Sequence, residues 1–246
     1  MVDIECTVGA NLATIDVANR RVTLDVTFGQ PISCTFINEK HGTLTVEKQT
    51  LPDGDPASFT FTGDLSGSVT DGNSISLTKS TAAGTTIFES EEFVPAGWAL
   101  TNISCSSDGP DSTWAITGAV APPLTLGFDP GDTKVAAFPA PGEEVTCVYT
   151  NTKLAQLTVV KEISATGPAN REFSFTSDLP GFATFTLEPT DESTPDQLIL
   201  SGITPGIYGV GEDPPTANGW ALTDASCGDG SPVTAIDLAA GEELVC

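Results

Sequence analysis

Basic residues are scarce in this chain. Nine Lys and Arg stand against 33 Asp and Glu in 246 residues, a formal net charge of −24. A surface of that sign repels phosphate backbones and anionic headgroups, so nucleic acid and membrane surfaces are not expected partners. There is one histidine, His41, and no Cys-x-x-Cys, which leaves a zinc centre of the usual Cys/His kind without a ligand set. The acidic residues show only turn-like fragments such as Pro52-Asp-Gly-Asp55 and no calcium-loop spacing, so no metal is expected. Gly-rich phosphate loops opening a helix are absent as well, and no cofactor is expected. No apolar run approaches the roughly 18 residues that cross a bilayer. The N-terminus has neither the basic nor the apolar region of a secretory signal.

Turn formers and β-branched residues fill the chain instead. With 24 Gly and 18 Pro there is a turn signal every few residues, and Thr, Val, Ser and Phe lie between them. That mixture predicts many short strands and little helix. The six cysteines are even in number and scattered, which favours disulfides in an oxidising compartment over free buried thiols. An extracellular or cell-surface location follows. A disulfide protein without a signal segment is expected to be a piece of a longer one.

The strongest signal is internal repetition with a period close to a domain in length. Cys34-Thr-Phe-Ile-Asn38-Glu-Lys40 returns 113 positions later as Cys147-Val-Tyr-Thr-Asn151-Thr-Lys153, and Leu44-Thr-Val-Glu-Lys48 returns at the same offset as Leu157-Thr-Val-Val-Lys161. Phe59-Thr-Phe61 matches Phe173-Ser-Phe175, Gly97-Trp98 through Cys105 matches Gly219-Trp220 through Cys227, and Gly142-Glu-Glu matches Gly241-Glu-Glu. The chain therefore divides into a C-terminal remnant of one repeat (1–40), a complete repeat (41–152) and a second repeat (153–246) lacking its last strand end. Each unit holds one cysteine pair late in its sequence: Cys6 with Cys34, Cys105 with Cys147, Cys227 with Cys246. Pairing within repeats is the simplest of 15 connectivities open to six cysteines.

Residues two apart on a strand share a face. Leu44, Val46 and Lys48 point one way, as do Phe88, Ser90 and Glu92, and Cys147, Tyr149 and Asn151. In each set a polar residue stands in phase with apolar neighbours that should face a core. Lys48, Glu92 and Asn151 are thereby predicted at one margin of a sandwich interior. An inward lysine needs a carboxylate partner or must lose its charge.

The opening Leu44-Thr-Val-Glu-Lys48, the central Glu92-Phe-Val-Pro-Ala-Gly97-Trp98 and the closing Asn151-Thr-Lys153 resemble the prealbumin-like (Cna B-type, SpaA-type) repeat domains of bacterial surface proteins and pilins. The resemblance implies an all-β fold of tandem Greek-key sandwiches with about seven strands per repeat. It also implies a self-made isopeptide bond, with Lys48 as nucleophile, Asn151 as acceptor and Glu92 as proton shuttle. Lys161 and Glu212 repeat the nucleophile and the proton shuttle, the matching Asn being expected beyond Cys246, while Asn38 is without upstream partners. The other reading of the same residues is a Lys48–Glu92 ion pair at the rim, with Asn151 capping a strand end.

The function expected is a structural stalk or spacer repeat of a secreted or surface adhesin- or pilin-like protein. It is not an enzyme beyond that single self-reaction. Its partners would be neighbouring repeats and a host or matrix ligand of unknown kind. The alternative is a carbohydrate- or protein-binding module that uses the insertion at 106–141, where Trp114 has no counterpart in the second repeat.

Overall fold

A computed structural model of the chain describes residues 3–7, 12–29, 31–81, 88–118, 127–164, 172–214 and 219–246. Among them every regular element is a strand. The N-terminal segment holds β1 (Asp3–Thr7), β2 (Leu12–Asp16), β3 (Arg21–Asp25) and β4 (Ser33–Ile37). The first full unit holds β5 (His41–Leu51), β6 (Ser58–Gly63), β7 (Gly67–Thr70), β8 (Ser74–Ser80) and β9 (Phe88–Phe93). It continues with β10 (Trp98–Ser107), β11 (Thr113–Gly118), β12 (Asp132–Phe138) and β13 (Glu144–Lys153). The second unit holds β14 (Ala155–Lys161), β15 (Phe173–Ser177), β16 (Thr184–Leu187), β17 (Asp196–Ile203) and β18 (Gly206–Tyr208). Its last strands are β19 (Val210–Glu212), β20 (Ile236–Leu238) and β21 (Glu243–Val245).

Alternation builds the first sandwich. Along β5, Leu44, Val46, Lys48 and Thr50 are buried while Glu47, Gln49 and Leu51 are exposed. Along β13, Val145, Cys147, Tyr149 and Asn151 are buried in the same rhythm. One sheet runs β10-β13-β5-β8 and the other β11-β12-β9-β6-β7. Phe59, Phe61 and Phe88 fill the space between them with Leu44, Val46 and Val135. Each such fully buried side chain contributes about 1.5–3 kcal/mol. Among the described residues this unit has nine strands, where about seven are expected. The described part of the 106–141 insertion contains β11 and β12, which extend the second sheet; its residues 119–126 lie outside the described residues.

The first and last strands of the unit are neighbours and run parallel, Val145 opposite Leu44 and Tyr149 opposite Lys48. The chain therefore enters at one end of the sandwich and leaves at the other. The second unit repeats the device, with β21 parallel to β14. Leu154 alone separates β13 from β14, so the first unit runs to Lys153.

Among its described residues, the N-terminal segment pairs within itself. β1 pairs with β4 and β2 with β3, and Ile4 is its one buried hydrophobic among the described residues. The disulfides Cys6–Cys34 and Cys105–Cys147 join residues directly opposite each other on paired strands. Cys227–Cys246 closes the third pair.

Bridging residues 42 apart, Cys105–Cys147 stabilises its unit by about 4 kcal/mol in the chain-entropy picture, against about 3 kcal/mol for the 19-residue separation of Cys227–Cys246. Replacing Cys105 and Cys147 together by alanine is therefore expected to lower the unfolding free energy of the first unit by about 4 kcal/mol. Urea titration followed by near-ultraviolet circular dichroism checks this, and an unchanged midpoint would contradict it.

Candidate functional site

Three strands from both sheets meet at one end of the first sandwich. β5 brings Lys48, β13 brings Asn151 two residues past the partner of Lys48, and β9 brings Glu92 from the facing sheet. Lys48 and Asn151 are wholly buried and Glu92 is 3% exposed. The Lys48 ammonium donates to Asn151 Oδ1 at 2.7 Å and to the backbone oxygens of Tyr149 at 2.8 Å and Gln49 at 3.1 Å. Asn151 Nδ2 donates to Glu92 Oε1 at 2.8 Å, and the same oxygen lies 3.7 Å from Lys48 Nζ. The carboxamide is thus held between the other two side chains. Its orientation follows from charge, because the reversed amide would set its NH2 against the ammonium and its oxygen against the carboxylate.

The surroundings are apolar. The Phe59 ring lies 4.4 Å from Lys48 Nζ, and Trp98 meets Phe59 edge to face. The Tyr149 hydroxyl donates to the Ser90 carbonyl at 3.0 Å, tying β13 to β9 two residues before Glu92. Ser90 is itself buried, its hydroxyl 3.5 Å from the Leu65 carbonyl. Glu92 Oε2 has no partner among the described residues.

Burial dominates both ionisations. It pushes Lys48 down from 10.5 to about 8 against the opposing pull of the Glu92 charge. It pushes Glu92 up from 4.5 to about 7 against the attraction of Lys48 and the hydrogen bond from Asn151. Both shifts narrow the preference that in water gives the proton to lysine over glutamate, and they do so beside a trapped carboxamide.

The second unit repeats two of the three parts. Lys161 Nζ lies 2.8 Å from Glu212 Oε2, with side chains 13% and 5% exposed, and sits 4.4 Å from the Phe173 ring. Glu212 Oε1 has no partner among the described residues. Asn38 follows β4 and is exposed. His41 is exposed at the start of β5. Trp98 and Trp220 pack edge-on against Phe59 and Phe173. Trp114, offered by the sequence as a binding aromatic, is half-buried against the core of its own sandwich. Tyr149 and Phe59 form part of the site although the sequence gives them no role there. The repetition of Phe59 as Phe173, each 4.4 Å from a lysine ammonium, is the signal that could have marked the ring.

Comparison with known proteins gives one sequence-level match: a prealbumin-like fold domain family covers residues 44–153. No curated protein matches the chain. Among solved structures the chain is similar to the TIE protein of Bacillus anthracis, at 12% identity and TM-score 0.26, covering 98% of this chain and 57% of that one. It is similar to the major pilin T3.2 of Streptococcus pyogenes at 16% identity and TM-score 0.28, covering 84% of this chain and 96% of that one. For the shaft pilin SpaA of Lactobacillus rhamnosus GG the values are 13% and 0.24, with 83% and 96% covered. The matched segment runs from Leu44 on β5 to Lys153, the last residue of β13, and these are the two strands that carry Lys48 and Asn151. Residues 44–153 are a prealbumin-like fold domain.

Proposed function

We propose that this chain is a load-bearing spacer of a cell-surface stalk, and that Lys48 and Asn151 join in an isopeptide bond within its first complete unit. The observation that carries the proposal is the buried Lys48–Asn151–Glu92 contact, with the carboxamide held between amine and acid. The neutral Lys48 amine attacks the Asn151 side-chain carbonyl carbon. Glu92, hydrogen-bonded to Nδ2, donates a proton to the departing nitrogen and recovers one from Nζ. The Nζ–Cγ bond forms, the Cγ–Nδ2 bond breaks, and one ammonia leaves without change of oxidation state. Proton transfer of this kind contributes typically 10²–10⁴-fold.

The topology supplies the reason for such a bond. Pulling the two ends of the unit draws β5 and β13 in opposite directions, so the load falls in shear on their shared ladder. A Lys48–Asn151 bond carries that load from residue 48 straight to residue 151 and leaves everything between them slack.

Intact mass of the fully reduced and denatured chain is expected to fall short of the sequence mass by one ammonia. Lys48→Ala should restore the full mass, and Glu92→Gln should slow bond formation by 10²-fold or more. An unshortened wild-type mass would sink the bond and leave an ion pair around Asn151. Closing a loop across 103 positions is worth about 4–5 kcal/mol, so Lys48→Ala should lose at least that much stability in urea.

A pH test uses Asn151→Ala, in which no bond can form, against Lys48→Met/Glu92→Gln/Asn151→Ala. Glu92 gains affinity for its proton on folding, so its stabilisation is full below 4.5 and lost as pH rises through about 7. Lys48 loses affinity for its proton, so its stabilisation is full above 10.5 and lost as pH falls through about 8. The single variant should therefore trail the triple variant most between pH 7 and 8 and recover on both sides. A gap independent of pH would contradict the burial of these two groups.

A further inference from the structure

The lysine that ends one unit reaches into the next. Lys153 is the last residue of β13, and its stem lies across Gly241 in the turn that leads into β21. A Cβ on Gly241 would stand 2.8 Å from Lys153 Cδ and 3.2 Å from Cγ, so the glycine is required for the approach. Gly241 N donates to the Lys153 carbonyl at 3.0 Å, and Gln156 N donates to the Glu242 carbonyl at 2.8 Å. The ammonium of Lys153 turns back to the first unit, 3.0 Å from Asp55 Oδ2 and 5.8 Å from the Trp98 ring. Leu154 N donates to the Gly97 carbonyl at 2.9 Å. The single linking residue is thus tied to one unit by its amide and flanked by a lysine bound to both.

The arrangement recurs one repeat earlier. Lys40 lies across Gly142, where a Cβ would stand 2.6 Å from Lys40 Cδ. Gly142 N donates to the His41 carbonyl at 2.9 Å and Thr43 N to the Glu143 carbonyl at 3.0 Å. Lys40 and Lys153 occupy the same repeat position, as do Gly142 and Gly241. Two junctions, with His41 following the lysine in one and Leu154 in the other, keep the lysine and the glycine and the contact between them.

We infer that this lysine–glycine contact is a docking surface between successive units, in which the Gly-Glu-Glu turn of each unit receives the terminal lysine of the one before it and fixes their relative orientation. The partner it fits is another repeat of the same kind. Its lysine stem covers the turn glycine, and at the Lys153 junction the ammonium is held by Asp55 on its own side. The inference deepens the spacer reading, because a stalk projects only if its units do not fold back on each other. It does not depend on the Lys48–Asn151 bond.

Nitrogen-15 relaxation of the full chain tests it. Amides of 44–153 and 155–246 should report one common tumbling time in the wild type. Gly241→Ala and Lys153→Ala should each split this into two shorter times, reduced by about twofold as the units reorient separately. Gly230→Ala is the control: its φ of +86° carries the same backbone strain as the +71° of Gly241, but nothing lies within 4 Å of the added Cβ. It should keep the common time. Separate tumbling in the wild type, or a common time retained in both Gly241→Ala and Lys153→Ala, overturns the clamp. Because the bond is read by mass and the clamp by tumbling, failure of either is seen without the other.

Discussion

Burial of the Lys48 ammonium among aromatic rings is the constraint around which the first unit is organised. A charge taken out of water without partners costs several kcal/mol, so every neighbour of Nζ has to answer it. Three oxygens do so directly, from Asn151, Tyr149 and Gln49, and Glu92 stands behind the carboxamide. Two of those oxygens are backbone atoms of the β5–β13 ladder, so the parallel pairing of the first and last strands is itself part of the solvation of the lysine. Register and electrostatics are coupled here. A slip of β13 by one residue would turn Asn151 and Tyr149 outward and leave the lysine facing Thr150 and Val148.

The same strand is held from its other side by a covalent link. Cys147 lies four residues before Asn151 on the inward face of β13 and is bonded to Cys105 on β10, while Lys48 lies on β5. The disulfide and the proposed isopeptide bond would differ in mechanical reach. With the disulfide alone, tension on His41 and Lys153 could still draw out residues 41–105 once the β5–β13 ladder shears. A bond at 48 and 151 stops that extension near its start and places Cys105–Cys147 inside the unloaded segment. On this geometry the disulfide serves folding stability, and the proposed isopeptide bond serves resistance to force.

The period-two phase of the sequence was enough to set Lys48, Glu92 and Asn151 on inward faces, because strand alternation depends on nothing beyond the local backbone. Recurrence of one cysteine pair late in each unit was likewise enough to suggest the three disulfide pairs, two of which join opposed residues, in β1–β4 and β10–β13. What the sequence hid depends on how sheets stack and pair. Phe59 reaches Lys48 only because β6 and β5 lie in different layers of one sandwich, and the Tyr149 hydroxyl finds the Ser90 carbonyl for the same reason. The N-terminal strands could satisfy their ladders with each other, since a disulfide register and a short hairpin need no third element. Trp114 reads as an exposed loop aromatic until β11 is seen to join the edge of the second sheet, where its inward side meets the core.

Scarcity of positive charge makes the placement of each lysine informative. The chain has six, and five of them are ion-paired: Lys48 with Glu92, Lys79 with Asp64, Lys134 with Glu89, Lys153 with Asp55 and Lys161 with Glu212. The sixth, Lys40, lies against Gly142. Exposed pairs such as Lys79–Asp64 and Lys134–Glu89 add little to stability. The lysines that recur between units are those at strand position 48/161 and junction position 40/153. The first pair of positions sits inside a sandwich and the second at the junctions between units. A surface left almost wholly acidic then repels other copies at long range while the basic groups hold each unit, and each junction, from within.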